Sequence, residues 1–462
     1  MLNRGLKGLL AALAGMAMLA LAGCSTPCGG AGRLCAPIGS NTSTPLHPRA
    51  GLPAPQQVEA VREQTLRVEP AQAQTMPVAP PEAINHNSSN SNIRIALLLP
   101  LRSNALGAPA GALRAGFMAA YGRDPAGFTV NLVETGDSTQ DTLDAYASAL
   151  AHNDLVVGPL ARSAVSALAA STLVRKPTIA LNHPETRIRA LPGTLPMPLT
   201  LPPQMLVMGL SIEDEARQVA DWAAAEHPGG AAMIVSGSSA WQRRIAASFA
   251  ARWRELGQPS QLVELSESTG ILGDAALDKV RNQADAQAPA LLFAALDAGQ
   301  AGQVRGALGA DLPLYGTSSV NPGARPGAQP DADPDSSLDA GVAQLDGLRL
   351  LDLPWEVQPE HQAVMVYPRW TSSARTLDMD RLYALGIDAF RVARELALRP
   401  GANFQLDGVT GHLSVSFGAS DGAARFERVQ PAAIYQGGAF TLVPLVPLVP
   451  LPPPVPPLPE RR

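Results

Sequence analysis

A continuous apolar strand that leads through a loop into a helix constrains the fold of this chain more than any other feature. The stretch runs from Ile93 to Tyr121 and reads IRIALLLPLRSNALGAPAGALRAGFMAAY. Ile95 to Leu99 carries no polar side chain for a solvated face, which is typical of a strand buried on both sides of a parallel sheet. The loop 100–108 follows the carboxyl end of that strand, where ligands usually bind in open α/β sheets. We therefore expect an α/β fold in which this loop faces a cleft.

The alternation of strand, loop and helix continues along the chain. Such alternation is typical of parallel sheets wound with right-handed crossovers. A proline-rich stretch at 191–203 interrupts it, so we predict two α/β lobes joined there. The predicted strands are 94–99, 129–134, 155–157, 178–181, 231–235, 262–265, 291–294, 314–316, 348–351, 409–415, 432–435 and 440–443, and the predicted helices are 110–121, 139–151, 162–173, 211–226, 241–256, 274–284, 302–308 and 377–398.

The order of these elements predicts how the chain is divided. One two-lobed domain is expected over 93–443, and each of its lobes is expected to be a mostly parallel sheet flanked by helices. Low apolar content predicts a flexible tether before the domain, and a Leu-Val-Pro repeat predicts an extended spacer, a docking ligand or a floppy tail after it. The predicted bounds are 24–92 for the tether, about 93–203 and 365–400 for lobe 1, about 204–364 and 401–443 for lobe 2, and 444–462 for the tail.

The N-terminus has the pattern of a bacterial lipoprotein signal. Arg4 and Lys7 precede an apolar run, Leu9 to Leu21, which is too short to span a bilayer and typical of a signal peptide. Small residues then precede Cys24 as in the lipoprotein processing box, so we expect cleavage after residue 23 and diacylation of Cys24. An ordinary cleavable signal with an incidental cysteine is the alternative. Ser25, which is not Asp, favours the outer membrane as the destination.

Composition and motifs exclude several functions. A net charge of −5 and 4% aromatic residues give neither a basic footprint nor a stacking surface for nucleic acid. An oxidising compartment permits a small loop disulfide between Cys28 and Cys35, which the sequence alone does not decide, while a metal site there would need further ligands that do not stand nearby. No hydrolase, nucleotide-binding or metalloprotease motif occurs, so we expect no catalytic residue, no cofactor and no metal.

The cleft between the two lobes is the place to expect a ligand. Five residues lie in or directly after loops that the strand pattern directs towards it, and they would contact an amino-acid-like solute if the protein is a solute receptor. For Trp241 packing at the interlobe edge, and for Asn182 capping of a loop, are equally good interpretations. Those loops offer hydroxyl groups and few acids, Asp297 being one, which disfavours a receptor for a zwitterion. Glu213 and its acidic neighbours are expected to stabilise the first turn of a helix, where the helix dipole favours negative charge. The five candidate residues are Ser103, Asn182, Ser238, Trp241 and Ser318.

Several segments, in order, resemble the C-terminal domain of the penicillin-binding-protein activator lipoproteins, the LpoA family. This resemblance implies a type I periplasmic-binding-protein-like fold. It also implies a non-enzymatic outer-membrane lipoprotein that binds and stimulates a class A penicillin-binding protein during peptidoglycan synthesis. Longer family members carry a helical domain where this chain has its short tether. The matching segments are IALLLPL (95–101), GALRAGFMAA (111–120), VVGPLARSAV (156–165), PTIALNHPE (177–185), GLSIEDEARQVADWA (209–223), SSAWQRRIAASFAARWRELG (238–257), DLPLYGTS (311–318), LDGLRLLDLPW (345–355) and RLYALGIDAFRVAREL (381–396).

Overall fold

The computed structural model describes residues 92–185, 201–268, 271–323, 344–371, 376–417 and 424–444. All of them belong to the compact unit Asn85–Arg462. The expected signal peptide, Cys24, Cys28, Cys35, nearly all of the tether and the tail from 445 onwards lie outside the described residues. Within the described ranges, no helix is both long and apolar enough to cross a membrane.

Lobe 1 is built on a parallel sheet with the predicted apolar strand inside it. The strand order is β2-β1-β3-β4-β5. Ile95 to Leu99 are 0% exposed because β1 has a neighbour on each side and side chains packed on both faces. The α/β prediction is thus confirmed at the segment that suggested it. The strands are β1 (Ile93–Leu99), β2 (Phe128–Glu134), β3 (Leu155–Val157), β4 (Thr178–Ala180) and β5 (Met205–Val207).

Helices cover both faces of this sheet, and two of them cross at very short range. A Cβ atom on Gly116 of α1 would lie 1.8 Å from the Tyr383 carbonyl oxygen, and one on Gly386 of α10 would lie 2.0 Å from the Leu113 carbonyl oxygen. Glycine is therefore required at both positions by backbone-to-backbone packing. The helices of lobe 1 are α1 (Gly107–Arg123), α2 (Thr139–His152), α3 (Arg162–Ala169), α8 (Pro354–Val357), α9 (Gln362–Met365) and α10 (Leu377–Leu398).

Lobe 2 has a larger, mixed sheet in the order β17-β16-β12-β11-β10-β6-β7. Its strands run parallel except at β16 and β17, which form an antiparallel hairpin at one edge. The turn of this hairpin, Gly437-Gly438, has φ values of +58° and +81°, which favour glycine. The elements are β6 (Ala232–Ser236), β7 (Ser260–Glu264), β8 (Glu267–Ser268), β9 (Ile271–Leu272), β10 (Leu291–Ala295), β11 (Leu314–Gly316), β12 (Leu348–Leu351), β16 (Ala432–Gln436), β17 (Ala439–Val443), α4 (Ile212–Glu226), α5 (Ala240–Glu255), α6 (Asp274–Gln287) and α7 (Ala298–Leu308).

Three segments that were predicted to belong to lobe 2 lie in lobe 1. A three-stranded antiparallel sheet, β13 (Phe404–Asp407), β14 (His412–Phe417) and β15 (Ala424–Val429), packs on the lobe 1 core, so of 401–443 only β16 and β17 belong to lobe 2. Strand β5 and helices α8 and α9 also belong to lobe 1. Short strands and single helical turns carry the same apolar pattern in either lobe, and only their packing partners assign them.

As a result the described chain crosses between the lobes three times. The crossings follow β5, β12 and β15, and they are Met208–Ser211, Asp352–Leu353 and Gln430–Pro431. Each crossing leaves the end of a strand in one lobe, and the next element of the chain lies in the other lobe. Leu210 of the first crossing and Leu353 of the second line the cleft between the lobes, and Glu215, which also lines it, is bonded to Gln430 of the third.

Candidate functional site: the interlobe cleft and its base

A cleft of about 770 Å³ lies between the two lobes. Its walls are made largely of helix N-termini from both lobes, since the first residues of α3, α4, α5 and α10 and the cap residue of α7 contribute to it. Apolar side chains of both lobes complete the lining. The lining residues are Arg162, Asn182, Leu210, Ile212, Glu213, Glu215, Trp241, Arg244, Asp297, Ser318, Ser319, Leu353, Thr376, Leu377, Asp378, Arg381 and Leu382.

Three of the five residues singled out from the sequence line this cleft: Asn182, Trp241 and Ser318. The Asn182 amide already donates to the Leu160 carbonyl at 3.1 Å, which fixes the loop after β4. Trp241 lies in the first turn of α5 and is partly buried against the lobe 2 core. Ser318 is 5% exposed, and its backbone is engaged in the base of the cleft.

The other two predicted residues, Ser103 and Ser238, do not line the cleft in the described part of the chain. The Ser103 hydroxyl donates to the Asp137 carboxylate and accepts from the Leu106 backbone at 2.8 Å, so it organises the loop 100–108 locally. Ser238 is exposed, and its carbonyl accepts from the Arg243 guanidinium. No residue of loop 100–108 is among those that line the cleft, and its described bonds to Asp137 join it to the loop that follows β2.

The cleft is richer in charge than the sequence analysis expected. Besides Asp297, three carboxylates line it, those of Glu213, Glu215 and Asp378. Glu213 accepts from the Arg244 guanidinium at 2.8 Å across the wall of lobe 2. Acidic residues are favoured in the first turn of a helix, and several first turns point into this cleft. These cleft carboxylates could have been predicted from the sequence by looking for acidic residues in the first turns of helices that follow parallel strands.

A buried ion pair holds the second crossing at the base of the cleft. Asp352 is 0% exposed and receives two hydrogen bonds from the Arg381 guanidinium, at 3.2 and 2.7 Å. The same guanidinium donates to the Ser318 carbonyl at 2.9 Å, and the Asn321 amide donates to Asp352 at 2.8 Å. Arg381 belongs to α10 of lobe 1 and Ser318 to the loop after β11 of lobe 2, so the pair links the two lobes directly.

Glu215 extends this network to the third crossing. Its carboxylate accepts from the Ser318 backbone N–H at 3.0 Å and from the Gln430 amide at 3.1 Å. Burial raises the pKa of Glu215, and the neighbouring Asp352 carboxylate adds to the rise. The Gln218 side chain bonds the backbone on both sides of the same crossing, as acceptor to Gln430 N–H at 3.1 Å and as donor to Arg428 C=O at 3.1 Å.

Arg428 ties the third crossing to the first. Its guanidinium donates to the carbonyl oxygens of Met208 at 3.1 Å and Gly209 at 2.9 Å, and its Nε donates to the Thr410 hydroxyl at 3.1 Å. Thr410 in turn donates to the fully buried Asp388 at 2.7 Å. Burial lowers the pKa of Arg428 to about 10. All three crossings are thus held by polar side chains that are linked through the Ser318 backbone and the Gln218 side chain, and all of them except the partly exposed Arg428 are buried. We call these side chains the hinge network: Glu215, Asp352, Asp388, Thr410, Arg381, Arg428 and Gln430.

Comparison with known proteins agrees with this architecture. A family model described as "LppC putative lipoprotein" matches residues 50–420. The chain belongs to this family. The resemblance to LpoA-type lipoproteins inferred from the sequence is thereby confirmed. None of the curated protein sequences compared with this LppC-family chain matches it.

Solved structures with the same fold fall into two groups. One is described as a "putative branched-chain amino acid ABC transporter" from Chromobacterium violaceum, with 31% identity, a TM-score of 0.57, and coverage of 74% of this chain and 100% of that chain. Another is the C-domain of LpoA from Haemophilus influenzae, described as a regulator of PBP1A, with 22% identity, a TM-score of 0.56, and coverage of 76% and 99%. These neighbours confirm a type I periplasmic-binding-protein-like fold.

The LppC-family chain is shorter than complete LpoA. Against full-length LpoA from Haemophilus influenzae it has 23% identity and a TM-score of 0.55, and it covers 59% of that chain. The match covers 76% of the present chain. The likeness to LpoA therefore concerns the fold of the two-lobed domain.

Proposed function

We propose that this LppC-family protein is an outer-membrane lipoprotein, anchored through acylated Cys24, that binds and stimulates a class A penicillin-binding protein. It acts without catalysis of its own, and its two lobes form a docking body. The family description as a lipoprotein and the LpoA neighbour, itself described as a regulator of PBP1A, support the proposal. The regulated process is peptidoglycan synthesis.

The observation that carries the proposal is the hinge network. Solute receptors of this fold class close their lobes around a ligand by bending the connecting segments. Here those segments are held by buried groups, among them Asp352 and Arg381, and separating a buried ion pair leaves an uncompensated charge at a cost of about 3–5 kcal/mol. A network of this kind supports a fixed relation between the lobes, which suits a docking body.

Direct binding and activity measurements test the proposal. Residues 25–462 would be produced without the lipid and titrated against the class A penicillin-binding proteins of the same organism, while glycan polymerisation is followed. We expect saturable binding and a faster polymerisation rate. Absence of both, for every class A synthase of the organism, would refute the proposed function.

A lipid-anchored solute receptor is the second candidate. It is favoured by the 31% identity to the branched-chain amino acid transporter structure and by a cleft that holds both guanidinium and carboxylate groups. An amino-acid-like ligand would place its carboxylate near Arg162 or Arg244 and its ammonium group near Asp297 or Asp378. Asn182, Trp241 and Ser318 would flank it.

Calorimetric titration with free amino acids distinguishes the two candidates. Micromolar affinity that is lost in Trp241→Ala and Asp297→Asn, together with no effect on any synthase, would favour the receptor. The regulator predicts no such affinity and a stimulated synthase. Asp274→Asn, in the first turn of α6 and remote from the cleft lining, is the matched control.

A further inference from the structure

An exposed apolar surface lies on lobe 1 at the end of α9. Met365 is 62% exposed and Val366 is 42% exposed, and they stand next to each other in the chain. Val364, immediately before them, is 2% exposed and belongs to the lobe 1 core. The backbone is therefore anchored by Val364, while the two following side chains are exposed to solvent.

A pocket of about 480 Å³ adjoins these side chains. It lies between the C-terminal turn of α1, the middle of α10 and the segment after α9, with Phe390 and Leu406 in its lining. Three guanidinium groups line it, those of Arg123, Arg391 and Arg394. We call this pocket together with Met365 and Val366 the Met365 surface.

The three guanidinium groups are held in place by the fold. Arg123 donates to the Val366 carbonyl at 3.0 Å and lies over the Tyr367 ring at 5.6 Å. Arg391 donates to Asp388 at 3.0 Å and to the Asp407 carbonyl at 2.9 Å. Each of these two groups has one or two of its N–H groups fixed by such contacts. Their orientation is therefore set before any partner arrives.

The three guanidinium groups differ in their partners. Arg394 is paired with Asp124 and Glu395, both at 2.8 Å. Arg391 is paired with Asp388, which is also bonded by Thr410 and is shared with the hinge network. The described contacts of Arg123 are with neutral groups, the Val366 carbonyl and the Tyr367 ring. Arg123 is therefore the guanidinium group of this pocket that a partner's carboxylate would complement.

The residue types match those of protein interfaces. Met, Tyr and Arg are enriched in interface cores, and binding energy concentrates on a few such side chains beside a pocket. A flat apolar patch alone would accept many occupants. The combination of exposed Met365 and Val366 with the Arg123 guanidinium in the adjoining pocket selects an apolar side chain next to an acidic one in the partner.

We propose that the Met365 surface is the site where this protein docks its protein partner, through a segment of that partner that carries an apolar residue beside an Asp or Glu. The apolar residue covers Met365 and Val366, and the carboxylate enters the pocket between Arg123 and Arg391. This inference rests on the proposed function, in which the partner is a class A penicillin-binding protein.

Surface variants of the lipid-free chain 25–462 test the assignment. Met365→Asp removes the apolar contact and adds a repelling charge for an acidic partner, and Arg123→Glu reverses the charge of the pocket. The matched control is Leu262→Asp, because Leu262 is 54% exposed and lies on edge strand β7 of lobe 2. Binding to the synthase would be measured by surface plasmon resonance after unfolding curves have shown that each variant is folded.

We expect Met365→Asp and Arg123→Glu each to raise Kd by about tenfold or more, the effect of losing a central interface side chain, and Leu262→Asp to leave it within about twofold. If the unaltered chain binds and both variants bind equally well, the Met365 surface is not the docking site, while the proposed function stands. If the unaltered chain binds no synthase, both fail. Concentration-dependent dimerisation that Met365→Asp abolishes would instead assign the surface to a second copy of the chain.

Discussion

The hinge network and the Met365 surface use similar residues for opposite purposes. In the hinge network, Arg381 is buried in an ion pair with Asp352, and the Arg428 guanidinium is bonded to two backbone carbonyls and a hydroxyl. At the Met365 surface, Arg123 and Met365 are exposed, and the described contacts of Arg123 are with neutral groups. The fold thus fixes its lobes internally and holds the exposed groups of this surface on one outer face, where a partner can reach them. Substitutions should therefore separate stability from binding.

The largest expected effect is on stability, in Asp352→Ala. Removing this carboxylate leaves the Arg381 guanidinium buried without its partner, so the free energy of unfolding should fall by about 3–5 kcal/mol. Urea unfolding followed by circular dichroism measures this. Asp378→Ala is the control, because Asp378 bonds the same guanidinium at 3.1 Å but is 87% exposed, and it should cost less than about 1 kcal/mol. Equal effects of the two would contradict the hinge network.

A smaller loss is expected for Gln430→Ala at the third crossing. The substitution removes the amide donor to the buried Glu215 carboxylate, and such a loss costs about 1–3 kcal/mol. The same unfolding experiment applies. Gln405→Ala, on the exposed side of β13, is a suitable control and should change the free energy of unfolding by less than about 0.5 kcal/mol. A Gln430 variant as stable as this control would show that the crossing does not depend on the bond.

The buried carboxyl group of Glu356, beside the hinge network, predicts that the stability of the fold depends on pH. Burial, with a contribution from Asp352, raises the pKa of Glu356 to about 8. The folded protein therefore holds a proton that the unfolded chain releases, so this group stabilises the fold fully below about pH 4.5 and loses that contribution as the pH rises to about 8. Glu356→Gln cannot ionise, and its unfolding midpoint should fall less than that of the unaltered protein between pH 5 and 8. Parallel curves would contradict the raised pKa.

The smallest expected effect on stability is that of Met365→Asp. The side chain is 62% exposed and outside the core, so the free energy of unfolding should change by no more than about 0.5 kcal/mol. This variant is nevertheless expected to weaken partner binding the most. Unfolding and binding should therefore be measured on both Asp352→Ala and Met365→Asp. We expect the first variant to lose stability and the second to lose partner binding. A destabilised Met365→Asp would mean that the exposed side chain serves the fold after all.

Much of the secondary structure could be predicted from local patterns. Helix α10 has the bounds predicted for it, 377–398, because its apolar stripe is long and its cap residue, Thr376, accepts from the Met379 backbone. Strands β5, β13 and β15 were missed, since they are short or carry polar residues that pack against another sheet edge.

The candidate site was predicted only in part. Asn182, Trp241 and Ser318 follow the ends of parallel strands, a position that topology directs to the cleft. Ser103 follows a strand end too, but it is not among the residues that line the cleft, and its hydroxyl donates to Asp137, 34 residues further along the chain. No local pattern reveals such a contact. Glu215 was interpreted as a first-turn residue, and its bridge to Gln430 joins positions 215 residues apart.

The fold class, the family and most strands and helices could be predicted from the chain alone, because buried strands and amphipathic helices follow from the spacing of apolar side chains along a few residues. The folded structure was needed to show which lobe holds β5, β13 and α8, which polar groups meet at the three crossings, and that Met365 is exposed. Those outcomes depend on packing between segments far apart in the chain. The free energy that stabilises this packing comes from burying apolar side chains and from pairing polar groups of different segments, so no single segment reveals it.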